Sequence, residues 1–297
     1  MSRAVSPTTG KPYGVQRVCA TCQFPRATLY SQAQRASQRE RPAAKRGPKP
    51  AYSDEQLLAL IQQDLAASPF SGEGHRKVWA RLKYGGDIAV SRKRVLRIMH
   101  EHHLLSPYRR PCAPPNEHDR TITTDAPNVM WGADGTRVFT VEEGYAWVFT
   151  AVEHWNAECL GWHVTKKGDR FAALEPVAQA VVTQFGHVGR DAARGVALRM
   201  DHGPQYLSDY FQNQLTYWAI APSFAFLEQP QTNGVAERFF RTLKEQVIYG
   251  RTFRTIAELR QAVGAFIERY NQHWRIEKNG YLSPRQLRAA WALKAAA

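Results

Sequence analysis

From residue 123 onward the hydrophobic pattern switches period repeatedly, and the order of those switches restricts the topology more than any other feature of this chain. "VMWGADGTRVFTV" and "YAWVFTAVEHW" alternate as strands do, with a turn at "EEG" between them. "CLGWHVTKK" reads as a third strand. "DRFAALEPVAQAVVTQFG" has helical spacing, with Pro176 marking a kink or an early turn. "GVALRMD" reads as a short buried strand, "SDYFQNQLTYWAI" as a helix capped by Ser208, and "SFAFLE" as a fifth strand. "TNGVAERFFRTLKE" follows as a helix, then "TIAELRQAVGAFIERYNQHW" and a last short helix in "SPRQLRAAW". Three hairpin strands followed by strands alternating with helices predict an α/β fold: one mixed five-stranded sheet with flanking helices.

The front of the chain has no strand pattern. "VQRVCATCQFPRATLYSQAQRA" predicts two helices broken at Pro25, with Val15, Val18, Cys19 and Cys22 on an inner face. Ser53 and Gln56 form a capping-box signal, Gly85-Gly86 stop a second helix, and Ser91 caps a third that carries Arg92, Lys93, Arg94 and Arg97. Both regions have the outline of a helix-turn-helix, and either could instead be a plain helical bundle. The predicted organisation is a helix-turn-helix over 1–35, a basic linker over 36–52 and a second helix-turn-helix-like domain over 53–107. A Pro-rich linker over 108–122 leads to the α/β body over 123–250 and a C-terminal helical extension over 251–297.

Charge follows this division. The formal net charge is +14, and residues 1–50 alone hold ten Lys or Arg against one acid, Glu40. A basic front on a near-neutral body points to a polyanion partner, with nucleic acid first and a basic tail or another anionic surface as the alternatives. Arg26, at the start of the second helix, is a candidate contact. No apolar run has membrane-span length and no secretory signal precedes the first helix, so a cytoplasmic protein is expected. Four cysteines, Cys19, Cys22, Cys112 and Cys159, are too scattered for a disulfide framework.

Three acids stand out by position. Asp134 lies inside a strand, where acids are depleted. Asp201 closes the fourth strand, where α/β sheets place ligands. Glu237 lies one turn into the helix after the fifth strand. On that helix Ala236, Phe239, Phe240, Leu243 and Val247 share the apolar face, while Glu237, Arg241 and Lys244 share its flank. The plain reading of that flank is a surface ion pair between Glu237 and Arg241. The other reading is a carboxylate cluster: such a sheet brings the three acids to one edge, and clustered carboxylates suit Mg²⁺ or Mn²⁺.

Asp201 and Glu237 are separated by 35 residues. With "WGADGT", "DHGPQY" and "TNGVAERFFRTLKE" in this order, the chain resembles the D,D-35-E catalytic core of transposases and retroviral integrases over about residues 125–275. It is most similar to the second-frame transposases of the family named after insertion sequence three. The resemblance implies an RNase H-like fold, with Asp134, Asp201 and Glu237 holding two Mg²⁺ ions (or Mn²⁺). It implies DNA contacts by Lys244 and by Gln231 and Asn233 in the loop before the helix, where Gly234 would permit a tight turn; Arg241 lies on the same flank. His202 and Gln205 either touch DNA or pack. The implied partners are double-stranded DNA (terminal inverted repeats and target), further copies in a homo-multimer, and an upstream-frame subunit.

Some residues depart from the family pattern. Glu153 and Asn156-Ala157 stand where many relatives have an aspartate and a Ser-Arg pair. Trp274 and Glu277 stand where Arg-Pro-His is common. An integrase-type zinc site is not expected, because Cys19 and Cys22 precede every histidine. The function expected is metal-dependent cutting at the ends of an insertion element followed by strand transfer. The alternatives are a DNA-binding regulator without catalysis and a nuclease acting on RNA in hybrids.

Overall fold

The structure is a computed structural model, and it describes residues 4–37, 51–107, 124–224 and 234–296. It divides into two units, Met1–Ala51 and Tyr52–Ala297.

In the first unit, α1 (Val15–Thr21) and α2 (Arg26–Ser37) form a helical pair. Cys19 is buried between them, as its spacing predicts, but Cys22 caps the end of α1 and is exposed. The first helix stops one residue too early for Cys22 to reach the inner face. The basic linker beyond residue 37 lies largely outside the described residues, as do the Pro-rich linker over 108–122 and Cys112.

The second unit opens with α3 (Asp54–Ala67), α4 (His75–Gly85) and α5 (Arg92–Glu101). Ser53 and Gln56 complete the expected capping box, Gly86 ends α4 and the Ser91 side chain caps α5. Leu57, Ile61, Val78, Leu82, Val95, Ile98 and Met99 close a small core among these helices.

The sheet comprises β1 (Met130–Thr140), β2 (Gly144–Glu153), β3 (Cys159–Thr165), β4 (Ala197–Met200) and β5 (Ala221–Phe224), in the order β3-β2-β1-β4-β5. β1, β2 and β3 pair antiparallel, whereas β4 and β5 join parallel to β1. This is the mixed RNase H-like sheet the sequence predicts. β5 begins two residues before the expected "SFAFLE", and everything after Phe224 in that stretch lies outside the described residues.

Each sheet face has its own core. On one face α6 (Arg170–Phe185) and α8 (Asp209–Trp218) cover Trp131, Ala133, Phe149 and Ala151. A one-turn α7 (Pro204–Leu207) precedes α8. On the other face α9 (Gly234–Leu243) and α10 (Ile256–His273) cover Val138, Val148 and Val164 with Phe239, Phe240, Leu243, Phe266 and Tyr270. Pro176 stands inside α6 rather than in its first turn, which Asp169 caps. A side chain at Gly161 of β3 would meet the Pro176 carbonyl, its Cβ only 2.0 Å away, so the missing side chain lets helix and strand approach closely. α9 runs on into a π-helical turn, Lys244–Ile248, which keeps Val247 buried beneath it.

α11 (Pro284–Ala296) ends the described chain. The turn before it holds the α3–α5 domain to the core. Trp274 packs edge-on against Phe70 and lies under the Lys77 ammonium, and Tyr281 packs on Trp79. Glu277 bonds Arg76 and Arg92. Gln246, on the π-helical turn, exchanges two hydrogen bonds with the Ser71 backbone.

Candidate active site

β1 pairs with β4 only as far as Gly132, which lies opposite Arg199. Continuing that register by two residues sets Asp134 opposite Asp201. Strand alternation puts Ala133 in the α6-side core, so Asp134 faces the α9 side, where Glu237 occupies the first turn of that helix. The parallel pairing and the α9 packing therefore bring the three acids to the same sheet edge.

Asp134 is the deepest of the three. Its Oδ1 accepts the Gly135 N–H at 2.7 Å. Burial pushes its pKa up to about 6; the charges of Asp201 and Glu237 push the same way, while the Gly135 N–H and the Lys244 ammonium oppose them. Asp201 is exposed, and its Oδ1 accepts the Gly203 N–H at 2.9 Å. A Cβ at Gly203 would come within 2.9 Å of that oxygen and 2.5 Å of the Gln205 amide, so glycine leaves room for the loop to fold around the carboxylate. Partial burial raises the pKa of Glu237, and the side chain forms no ion pair among the described residues. Its expected partner, Arg241, bonds Glu245 instead at 2.9 Å, one helical turn further on. The surface ion pair of the plain reading is therefore not the one formed.

The donor chemistry of this edge suits a hard divalent cation: oxygen ligands only, with a buried carboxylate that its neighbours' negative charge makes harder to ionise. Among the described residues no three His, Cys, Asp or Glu converge closely enough to hold an ion.

Family models meet this geometry along the sequence. An integrase core domain matches residues 124–230 and again 219–284, and an HTH-like domain matches residues 53–111. The body of this chain is a transposase/integrase catalytic core. The integrase core is similar to transposase InsD for insertion element IS2A/D/F/H/I/K of Escherichia coli, 27% identical over 221 residues, covering 72% of each chain. Transposase InsD for insertion element IS2-9 of Escherichia coli (strain K12) is likewise 27% identical, over 72% of this chain and 71% of the relative. These relatives agree with the resemblance to the insertion-sequence-three transposases. Among solved structures, the simian T-cell lymphotropic virus intasome in complex with PP2A regulatory subunit B56 gamma aligns at TM-score 0.45 and 19% identity, over 70% of this chain and 73% of that one. The HTLV-2 integrase catalytic core domain in complex with magnesium aligns at TM-score 0.40 and 18% identity, over 54% of this chain and 96% of that one.

The expected DNA contacts are spread over several elements. Lys244 is electrically tied to Asp134 at the site itself. Gln231 and Asn233 lie outside the described residues. Gly234 opens α9 with ordinary helical backbone and open space around it, so the tight turn expected there is not made by this residue. On α5 Lys93 is exposed and in no ion pair among the described residues, whereas Arg94 bonds Asp54 at 2.6 Å and the Tyr52 carbonyl, Arg97 bonds Asp54 and Glu101, and Arg92 bonds Glu277. Arg94 is half-buried and ties α5 to the start of α3. Arg26 is exposed at the first residue of α2. His202 is exposed and stacks on Phe224, 5.3 Å between ring centres.

The sequence assigns no role to Tyr206, and the places of Glu153 and Asn156 differ from a DNA-contact role. Tyr206 is buried beneath the acids, and burial together with the charges of Asp134 and Asp201 pushes its phenol pKa far up. Its signal was the tyrosine that ends "DHGPQY", five residues after Asp201. Glu153 and Asn156 turn out to be internal fasteners. Glu153 is fully buried and accepts the Asn128 N–H at 2.7 Å, with Arg288 of α11 at 3.5 Å. Asn156 donates to the Pro284 carbonyl, and its own carbonyl accepts from Asn279.

Proposed function

We propose that this chain is a DNA transposase that cuts at the ends of an insertion element and joins them to target DNA, with Asp134, Asp201 and Glu237 as the catalytic carboxylates. The observation that carries the reading is the register that sets Asp134 opposite Asp201, with Glu237 in the first turn of the helix packed on the same sheet. Asp134, Asp201 and Glu237 would hold Mg²⁺, which when bound supplies Lewis acidity for an in-line displacement at phosphorus.

The chain's own residues do the rest. The Gly135 and Gly203 N–H groups each fix one oxygen, Oδ1 of Asp134 and Oδ1 of Asp201. Lys244 supplies a positive charge beside the acids, suited to a phosphate oxygen. In the first step water attacks phosphorus, the P–O3′ bond breaks, and the departing 3′ oxygen takes up a proton as the attacking water loses one. In the second step that 3′-hydroxyl attacks phosphorus in another strand and displaces its 3′ oxygen, so the number of phosphodiester bonds is conserved. No covalent protein intermediate is required.

The α3–α5 domain and the basic front would bind the terminal repeats, with phosphate contacts that weaken steeply as salt rises. Two ends must be held at once, so the active form is a homo-multimer, with an upstream-frame subunit as a further partner. The second reading is a DNA-binding regulator without catalysis, a role that the HTH-like domain over residues 53–111 would serve by itself. Incubating a duplex carrying the element's end with Mg²⁺ separates them: end cleavage supports the transposase, and end binding that persists with no cleavage in any metal supports the regulator.

A further inference from the structure

Away from the acid edge, the tip of the β1–β2 hairpin carries aromatic and basic side chains that no helix covers. Phe139 and Tyr145 are cross-strand partners, 55% and 59% exposed, with rings edge-to-face at 5.4 Å. Alternation from the core residues Ala133 and Phe149 places both on the α6 side of the sheet, beyond the reach of α6. On the same face the Arg137 guanidinium lies over Tyr145 at 5.4 Å and over Trp147 at 5.6 Å. The loop leading into α6 borders this surface: Gly168 presses on the Trp147 indole so closely that a Cβ would overlap it at 2.3 Å. That loop presents Lys166 and Lys167, and the band continues through Arg170 and Phe171 to Tyr210.

Exposed aromatic side chains clustered in this way mark an interaction site rather than ordinary surface. The charge tells which kind. Arg137, Lys166, Lys167 and Arg170 form no ion pair among the described residues, whereas Arg76, Arg81, Arg94, Arg97 and Arg254 all do. The nearby acids are engaged elsewhere: Glu142 bonds Arg254, Glu143 accepts the Ile256 N–H at the start of α10, and Asp169 caps α6. Asp209 opens α8 next to Tyr210. Flat rings interleaved with unpaired cations suit unstacked bases with phosphates between them, whereas a protein partner would favour a drier, less charged surface.

We propose that this band binds an unpaired stretch of DNA, with bases stacked on Phe139 and Tyr145 and phosphates against Arg137 and the loop lysines. The band's role rests on the reading above, since strands that are cut and exchanged leave unpaired DNA near the core.

The test uses the full chain in metal-free buffer and a 4-thiothymidine-substituted oligothymidine of about 16 nucleotides. Photocrosslinked peptides are mapped in the wild type, in Phe139→Ser/Tyr145→Ser and in Arg137→Glu, all at exposed positions, with thermal melting checking the fold. The expected result is crosslinks in residues 137–147 and 166–171 that fall about fivefold or more in each variant, at about 1 kcal/mol or more per stacked base. Crosslinks to the α1–α5 region serve as the internal reference and stay constant. Crosslinks confined to α1–α5, with none lost in the variants, overturn the proposal. So does a sedimentation shift from dimer to monomer in the variants with crosslinking unchanged, which would make the band a contact between copies. Cutting is not measured here, so the two readings fail separately. A chain that binds through the band but never cuts removes the proposed function alone, and a chain that cuts without these crosslinks removes the band alone.

Discussion

Asp134 shows how much one side chain reveals and how much it conceals. An acid inside a hydrophobic strand is an anomaly that a sequence displays openly, and so is an acid closing a parallel strand. Partners distant in sequence are not displayed. Arg94 looks like a DNA-facing residue on a basic helix, yet Asp54, forty positions earlier, takes its guanidinium. Asp134 is held ionised at a cost, because burial and two like charges oppose it. Asp134→Asn should therefore abolish cutting while stabilising the metal-free chain by about 1–2 kcal/mol at pH 8, read from denaturant melts. That gain should vanish at pH below about 4, where both forms are neutral in the folded and unfolded chain. His154 provides the opposite sign. Burial first, then the charges of Lys278 and Arg199, depress its pKa to about 4. A neutral buried histidine stabilises the fold at pH above about 6.5, and that contribution should be lost as pH falls through 4, worth on the order of 2 kcal/mol. His154→Gln should flatten that part of the stability–pH curve, and an unchanged slope would remove His154 as its cause.

At the scale of elements, the strand and helix order was readable because period-2 and period-3.6 patterns alternate cleanly, and the caps at Ser53, Ser91 and Ser208 fell where their side chains predict. The π-helical turn at Lys244–Ile248 was not readable, because its pattern of buried Leu243 and Val247 also fits a continuous α-helix. Within that turn Gln246 bonds the segment leading into α4, and Lys244, proposed above as a phosphate contact, stands two residues away. Trp274 is the larger fastener between the same elements. Trp274→Ala should cost about 2–4 kcal/mol and make the α3–α5 domain separable from the core, seen as a second, earlier unfolding transition. A single unchanged transition would show that the turn before α11 does not hold the two together.

For the whole molecule, the sequence showed a basic front and a near-neutral body, and the structure divides at Ala51. The sequence did not show that residues around 274–288 reach back to fasten both the helical domain and the β2–β3 turn, since those contacts join positions more than a hundred residues apart. A chain starting at Tyr52 should keep the melting temperature of the full chain, because the second unit contains all of its own cores. Its binding to duplex DNA should weaken and show a shallower salt dependence, because ten basic residues of the front are gone. Among the described residues no helix is long and apolar enough to cross a membrane.

The measurement that bears most directly on the account is Mg²⁺-dependent cleavage and joining of a labelled duplex carrying the element's own end, with Glu237→Gln beside the wild type. Glu237 is exposed on α9, so the substitution should leave folding and end binding intact. The account predicts cut and joined products from the wild type and none from the variant, with equal end binding by both. Equal products from the two proteins would contradict it, since the third carboxylate would then have no part in the chemistry.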